Sequence, residues 1–329
     1  MKYLIELGGE NTKLGKIEVL ELFSNENYKP KLEFEEKNIV VVNLSKRLDN
    51  MIVRRLGMTK RISEIIYYSE RKNLDQVTKE LTRIDIGDKK FAIRLIHGKN
   101  ESEKDVAIRI GEKVPAKNRI ELEKPDAKVL YYSETKTIVS IHYRKFETSY
   151  KRCLKHHVKY RPYFSPISIH PRIARAMINL SKSSIEDTII DPFCGTGGIL
   201  IEGADIGLKT IGIDIMEKMV ENSRGNLQYF GLKSQIAEGD VEKIKDYEFT
   251  AIVCDPPYGI SSTSKGEDIS SLMKRTLSLF SESLESGQRA VIALSNPELG
   301  SHKKFKEIHK FKWYIHKSLT RNIIVLEKN

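Results

Sequence analysis

Well into its second half the chain reads Val253-Cys254-Asp255-Pro256-Pro257-Tyr258-Gly259. An apolar run delivers a carboxylate, two consecutive prolines and an aromatic ring. Each proline fixes its φ and lacks an N–H. The corner therefore offers backbone carbonyls and the Asp255 carboxylate as acceptors. Two such acceptors can grip both hydrogens of an aryl amine and turn its nitrogen toward an activated methyl group. Tyr258 can stack on a planar base. Holding two reactants in line contributes about 7–11 kcal/mol in favourable cases, and a carboxylate beside developing positive charge adds electrostatic stabilisation. Asp255, Pro256, Pro257 and Tyr258 are therefore the candidate catalytic group. A plain turn after a buried strand would use the same residues; three upstream elements weigh against it.

The first is Asp191-Pro192-Phe193-Cys194-Gly195-Thr196-Gly197-Gly198, which follows an apolar strand and opens a helix. Its glycines allow a tight turn and a close approach to a ligand at the carboxyl end of a strand, where open α/β sheets bind. A nicotinamide dinucleotide is disfavoured, because the Gly-x-Gly-x-x-Gly fingerprint needs glycine at position 200 and Leu200 stands there. The second is Asp214, which ends the next strand. A carboxylate there accepts hydrogen bonds from both hydroxyls of a ribose, or caps the following helix. The third is Gly239-Asp240, placed to accept from an adenine amine or simply to make a turn. The candidate cofactor pocket comprises Asp191, Phe193, Cys194, Gly195, Thr196, Gly197, Asp214, Ile215, Gly239, Asp240, Val241 and Asp255. After the corner, Gly259-Ile-Ser-Ser-Thr-Ser-Lys-Gly266 has the small polar composition of a loop that closes over a site, or of an ordinary surface loop.

The elements that must position these residues show in the periodicity. From Thr188 onward strand alternates with helix. Strands read as Thr188–Asp191, Thr210–Asp214, Gln235–Ala237, Ala251–Cys254 and Ala290–Leu294, with helices over Gly198–Asp205, Glu217–Phe230 and Ser271–Leu284. This alternation predicts a parallel, doubly wound sheet. Two closing strands, Lys312–His316 and Asn322–Leu326, are joined by Ser318-Leu-Thr-Arg321 and predict an antiparallel hairpin. The N-terminal part reads strand Lys2–Leu7, helix Asn11–Phe23, strands Lys31–Phe34 and Ile39–Leu44, helix Leu48–Leu56 and strand Lys60–Tyr68, the order of a ferredoxin-like unit. Mixed α/β structure continues with helices Leu74–Ile84 and Glu103–Ile110 and strands Phe91–Ile96, Val129–Tyr131 and Thr137–Tyr143. His97 and His142 stand alone there and are read as structural.

The 329 residues carry a formal net charge of +11, with 31% charged and 40% hydrophobic. A polyanionic partner follows naturally, because phosphate neutralisation releases counterions; a Lys- and Glu-rich surface of thermophile type gives a similar balance. Between Arg144 and Arg161 stand Lys145, Lys151, Arg152, Lys155 and Lys159 against the single acid Glu147, with Tyr150, Tyr160 and His156-His157 interleaved. That mixture suits phosphate contact with base stacking, or a solvated linker. Three dispersed cysteines, Cys153, Cys194 and Cys254, predict neither a disulfide framework nor a metal centre. No run approaches the roughly 20 apolar residues of a membrane span, and the start lacks a signal-peptide pattern, so the expected compartment is the cytoplasm.

The chain resembles the archaeal tRNA (guanine(10)-N2)-methyltransferases. The resemblance rests on Arg161-Pro-Tyr-Phe-Ser-Pro, His170-Pro-Arg-Ile-Ala-Arg-Ala-Met-Ile-Asn-Leu-Ser181, Asp191 through Glu202, Asp255-Pro-Pro-Tyr-Gly and Ser318-Leu-Thr-Arg321. It is sharpest over 161–329; over 1–145 it rests on element order and length. Ser165 and Ile169 depart from the family motif, which more usually has His and Met. The resemblance implies a ferredoxin-like domain over 1–68, a THUMP domain over 69–145, a basic linker over 146–160 and a class I (Rossmann-like) methyltransferase domain over 161–329. It implies S-adenosylmethionine as cofactor, bound along Asp191, Gly195, Asp214 and Asp240, with Asp255 through Tyr258 holding the N2 amine of a tRNA guanine, giving N2-methylguanosine and, in a roomier pocket, N2,N2-dimethylguanosine. It further implies recognition of the tRNA acceptor end through the THUMP region and basic linker; nothing in the sequence suggests more than a monomer. Asp-Pro-Pro-Tyr also serves adenine and cytosine amines of DNA and other RNA guanines, and a non-catalytic tRNA-binding module is the remaining alternative.

Overall fold

A computed structural model describes residues 1–70, 90–98, 102, 104–105, 108, 123, 126–133, 135–143, 146–165, 168–258, 268–316 and 319–329. The expected helix Leu74–Ile84, most of Glu103–Ile110 and the loop Gly259–Gly266 lie outside the described residues. The described chain is mixed α/β with two seven-stranded sheets. It forms two compact units, one of Met1–Leu7, Tyr28–Arg54 and Thr59–Thr148, the other of Gly8–Asn27, Arg55–Met58 and Ser149–Asn329.

The first unit contains β1 (Lys2–Leu7), β2 (Lys31–Glu36), β3 (Ile39–Asn43), β4 (Thr59–Ser69), β5 (Phe91–Gly98), β6 (Ala127–Ser133) and β7 (Thr137–Tyr143), in the order β2-β3-β1-β4-β7-β6-β5. Neighbours are antiparallel except β5 and β6, which are parallel. Strands expected within 1–68 and strands expected within 69–145 thus share one sheet, joined where β4 pairs with β7. The run Ile39-Val-Val-Val42 is buried throughout, as its unbroken β-branched composition requires. His142 is bonded through Nδ1 to the Ile62 carbonyl at 2.7 Å, a structural role.

Two helices depart from expectation. α1 (Thr12–Asn25) buries Leu14, Val19, Leu22 and Phe23 and counts with the second unit. α2 is a single turn, Asn50–Val53, where nine residues were expected. Tertiary bonds take over the backbone beyond it. Glu18 of α1 accepts from the amides of Gly57 at 2.8 Å and Met58 at 2.9 Å, so those residues are drawn out of any helix. Arg55, 1% exposed, is fastened to Glu26 and Asn179.

The second unit adds α3 (Ser149–Arg152), α4 (Pro171–Leu180), β8 (Thr188–Asp191), α5 (Gly198–Asp205), β9 (Lys209–Asp214), α6 (Glu217–Tyr229), β10 (Gln235–Glu238), β11 (Ala251–Cys254), α7 (Ile269–Ser283), β12 (Arg289–Leu294), β13 (Phe305–His316) and β14 (Leu319–Lys328). The sheet order is β10-β9-β8-β11-β12-β14-β13. β8 to β12 are parallel; β14 runs antiparallel to both β12 and β13. The chain fills one side outward from β8 and then crosses to β11, so the topological switch lies between these two strands. A crevice at their carboxyl ends is the expected binding place in such a sheet. The hairpin is longer than expected: β13 begins at Phe305, and Leu319–Arg321 belong to β14 rather than to the connection. The extra pairs Trp313↔Arg321 and Tyr314↔Thr320 continue the ladder through them.

The stretch expected to be a linker, 146–160, is largely folded. Residues 149–160 form α3 and two short 3-10 turns, Cys153–His156 and Val158–Tyr160, within the second unit. Its basic groups meet acids on α5. His156 Nδ1 lies 2.8 Å from Glu202, while Arg152 and Lys155 reach Asp205 at 3.4 and 3.5 Å. Arg175 of α4 closes the cluster on Glu202 and Asp205. All three cysteines are free and buried.

A Cβ at Gly57 would stand 2.7 Å from the Arg172 carbonyl oxygen, and backbone cannot easily yield. Gly57→Ala is predicted to cost about 1–3 kcal/mol, measured as a lowered urea midpoint. Gly9→Ala, whose Cβ would meet nothing within 4 Å, serves as the control and should leave the midpoint within about 0.5 kcal/mol of the parent.

Candidate active site

The carboxyl ends of β8, β9, β10 and β11 open on one cavity of about 230 Å³. Asp191 ends β8, Asp214 ends β9, Gly239 and Asp240 follow β10, and Asp255 follows β11. Of the residues expected to hold a cofactor, Asp191, Phe193, Cys194, Gly195, Thr196, Asp214, Ile215, Gly239, Asp240, Val241 and Asp255 line the cavity, as do Pro256, Pro257 and Tyr258. Gly197 is not on the wall. It is the left-handed N-cap of α5, with φ +81°, and a Cβ there would meet Ser223 Oγ at 2.5 Å. Its task is to turn the chain.

The glycine loop is held from behind. Asp191 Oδ1 accepts from the Phe193 amide at 3.1 Å, and Asp214 Oδ2 accepts from the Gly195 amide at 2.9 Å while Oδ1 takes Met216 N at 3.0 Å. Asn226 donates to the carbonyls of Tyr163 and Thr196 and accepts from Tyr163 N, so it ties the loop to the segment before Ser165. Ser168 bonds Thr196 Oγ1 at 3.1 Å. Ser165, Ser168 and Ile169 complete this wall. Just outside, Tyr163 and Phe164 are exposed.

Burial governs the acids. Asp191 is 2% exposed; burial, reinforced by the nearby Asp255 and Asp214 charges and opposed by the Phe193 bond, pushes its carboxyl well above the usual range. Burial also raises Asp214, against its two amide bonds. Asp240 differs from the expectation of a carboxylate free for an adenine amine: Arg275 of α7 grips both its oxygens, at 2.6 and 3.1 Å. A donor approaching that side chain shares it with a guanidinium.

Asp255 is the best-braced acid. Arg321 Nη2 lies 2.9 Å from its Oδ2, and Arg321 Nε donates to the Tyr258 hydroxyl at 2.6 Å. The Tyr258 hydroxyl in turn donates to Asp255 Oδ1. Burial pushes Asp255 up to about 7, against the Arg321 charge and its hydrogen bond. A carboxyl poised there is a charged acceptor at neutral pH and turns into a weaker, neutral one just below it. Arg321, 4% exposed, is the residue of this cluster that reading the sequence for chemistry overlooked. The available signal was a lone cation at the start of the apolar strand Asn322-Ile-Ile-Val-Leu326, which folding can bury only with an acidic partner.

The RMKL-like methyltransferase domain family matches residues 158–318, and a DNA methylase family matches residues 23–224, a span that ends before the Asp255 corner. The chain is 30% identical to the tRNA (guanine(10)-N2)-dimethyltransferase of Methanothermobacter thermautotrophicus, over 100% of both chains. It is 39% identical over 220 residues, 64% of each chain, to the tRNA (guanine(10)-N2)-dimethyltransferase of Pyrococcus abyssi. Among solved structures, TrmN from Thermus thermophilus shares the fold, with a TM-score of 0.58 at 17% identity over 100% of both chains.

The methyl donor is S-adenosylmethionine, and the cavity suits it. Asp191, Asp214, Asp240 and Asp255 line the wall, whereas no Lys or Arg is among the described lining residues. Carboxyl oxygens on that wall can accept from hydroxyl and ammonium groups of a ligand. Asp214, at the end of β9, is on the same wall.

Arg321 lowers the Asp255 pKa, and the carboxylate is a stronger acceptor of N–H hydrogens than the protonated carboxyl. Activity should therefore fall as pH drops through the Asp255 titration. In Arg321→Met the acid limb of the pH profile of kcat/KM is predicted to move to higher pH, with partial return in Arg321→Lys. An unmoved limb in a variant that melts like the parent would refute the brace.

Proposed function

This chain belongs to the tRNA (guanine(10)-N2)-dimethyltransferase family, and on that premise we propose that it methylates the exocyclic N2 amine of a guanine in tRNA, at position 10, once or twice. One observation carries the reading: the donor-poor Asp255-Pro256-Pro257-Tyr258 corner and the glycine loop open on the same cavity. The site supports a simple sequence. The bound cofactor supplies an electrophilic methyl on a positively charged sulfur. Asp255 and the Pro256 carbonyl accept the two amine hydrogens and aim the nitrogen lone pair. A C–N bond would form as the C–S bond breaks, the electron pair going to sulfur, and the nitrogen would then pass a proton to the Asp255 carboxylate or to water. Tyr258 gives up its bond to Asp255 and turns its ring onto the base. Tyr160, Tyr163 and Phe164, all exposed ahead of Ser165, offer faces on which unpaired bases can stack.

Residues 1–145 are assigned to substrate recognition, with a ferredoxin-like part over 1–68 and a THUMP part over 69–145 that take the tRNA acceptor end by shape and phosphate contacts. The target guanine leaves its stack at a cost of a few kcal/mol. The enzyme is taken to act as a monomer in the cytoplasm; among the described residues no helix is long and apolar enough to cross a membrane. The DNA methylase match keeps amine methylation of adenine or cytosine in DNA as the second reading.

Incubation with deuteromethyl-labelled donor and either unmodified tRNA or duplex DNA, followed by nucleoside mass spectrometry, separates the two. Label in N2-methylguanosine and N2,N2-dimethylguanosine, lost when guanine 10 is replaced by inosine, is the expected result. Label in N6-methyladenine or N4-methylcytosine would overturn it.

A further inference from the structure

Glycine inside a helix is unfavourable, because it has more backbone freedom to lose than alanine. Gly225 nonetheless stands well inside α6. A Cβ there would collide with the Tyr163 ring at Cε2, with Cδ2 3.0 Å away. The missing side chain is thus a seat for that ring. The same helix fixes the Tyr163 backbone: Asn226 accepts from its N–H at 3.0 Å and donates to its carbonyl at 2.7 Å. Seated in this way, Tyr163 is still 47% exposed.

Tyr229 follows Gly225 by four residues, one turn along the same side of α6, and its Cα–Cβ bond tilts back toward that turn. It is 63% exposed, and Phe164, next to Tyr163, is 67% exposed. Large rings left in water in one place mark a surface made to be covered. The Phe230 ring meets the His156 ring at 4.8 Å, so the segment around His156 lies against this end of α6. That segment brings exposed cations, Lys151, Lys155 and Lys159, and Lys159 Nζ stands 4.7 Å from the centre of the Tyr160 ring. Rings interleaved with cations match the bases and phosphates of an unpaired nucleic-acid strand. The surface adjoins the cavity: Tyr163 precedes Ser165 of its wall by two residues, and Asn226 also donates to the Thr196 carbonyl of the glycine loop at 2.9 Å.

We propose that Tyr163 and Tyr229 form a preset stacking platform beside the cavity, which holds an unpaired nucleotide adjoining the target guanine. Drawing the target out of its stack strips a neighbouring base of its partner. A ring already fixed in place replaces that partner at little ordering cost, and Lys159 supplies charge for the phosphate. The inference rests on the reading of the substrate as tRNA and names the part of this chain that grips the strand at the site.

Filter binding of unmodified tRNA to the full chain tests it, beside calorimetry with S-adenosylhomocysteine. Tyr163→Leu and Tyr229→Leu are each expected to weaken tRNA binding by about tenfold, within the range of a lost base–aromatic stack, and to leave S-adenosylhomocysteine within about twofold of the parent. Tyr163→Phe keeps the ring and should bind tRNA as the parent does. Gly225→Ala removes the seat and should weaken tRNA as Tyr163→Leu does. The slope of log affinity against log salt should be unchanged in the two leucine variants and smaller by about one in Lys159→Gln. Parental tRNA affinity in both leucine variants overturns the proposal, and so does equal weakening of tRNA and S-adenosylhomocysteine, the mark of a merely structural role. Parental tRNA affinity with loss of a dimer in sedimentation also overturns it and gives the rings to a second copy of the chain. If the parent binds S-adenosylhomocysteine but neither binds nor methylates tRNA, the proposed function falls and the inference with it.

Discussion

A carboxylate buried beside its own kind is the constraint around which the second unit is organised. Asp255 follows β11 near Asp191, which in turn feels Asp214, and burial opposes charge on all three. What keeps Asp255 usable is Arg321, and what delivers Arg321 is the direction of β14. That strand runs antiparallel to β12, with Asn322 opposite Leu294 at the end of β12. Its first residues therefore lie at the same edge as the carboxyl ends of the parallel strands. A parallel strand in that position would begin at the opposite edge. The closing hairpin is thus part of the site's electrostatics as well as of the sheet's stability.

The same charge pattern bears on ligand choice. A dinucleotide brings a pyrophosphate to a glycine loop, whereas four Asp side chains line this cavity. The rigidity of the Asp255-Pro256-Pro257 turn complements that pattern. Proline at both positions removes amide donors that would otherwise compete for the same acceptors. An amine with two hydrogens finds carbonyl and carboxylate oxygens already in place, so little reorganisation is left for the transfer step.

Much of this was legible in the residues. β1, β7, β8 and β11 begin and end where apolar periodicity placed them, because a buried strand bounded by turn residues is a local signal. The corner and the glycine loop were legible for a related reason: their chemistry lies in adjacent residues. Pairings between distant residues were not. Glu18 shortens α2 by bonding amides 39 and 40 residues away. Arg275 reaches Asp240 across 35 residues. Residues 149–160 look like a basic linker until Glu202 and Asp205 are seen to neutralise part of their charge. α1 reads equally well as the helix of a ferredoxin-like unit, since amphipathic spacing says that a face is buried without saying against what; here it packs with α4 through Leu14, Ile173 and Met177.

The account stands on Asp255 as the acceptor that aims the amine, and single-turnover transfer by Asp255→Ala, with cofactor affinity measured on the same sample, probes that most directly. Transfer should disappear while S-adenosylmethionine binds within a few fold of the parent, because the glycine loop and Asp214 are untouched. Methylation of tRNA by Asp255→Ala at the parental rate would contradict the role given to this carboxylate and, with it, the reading of the site.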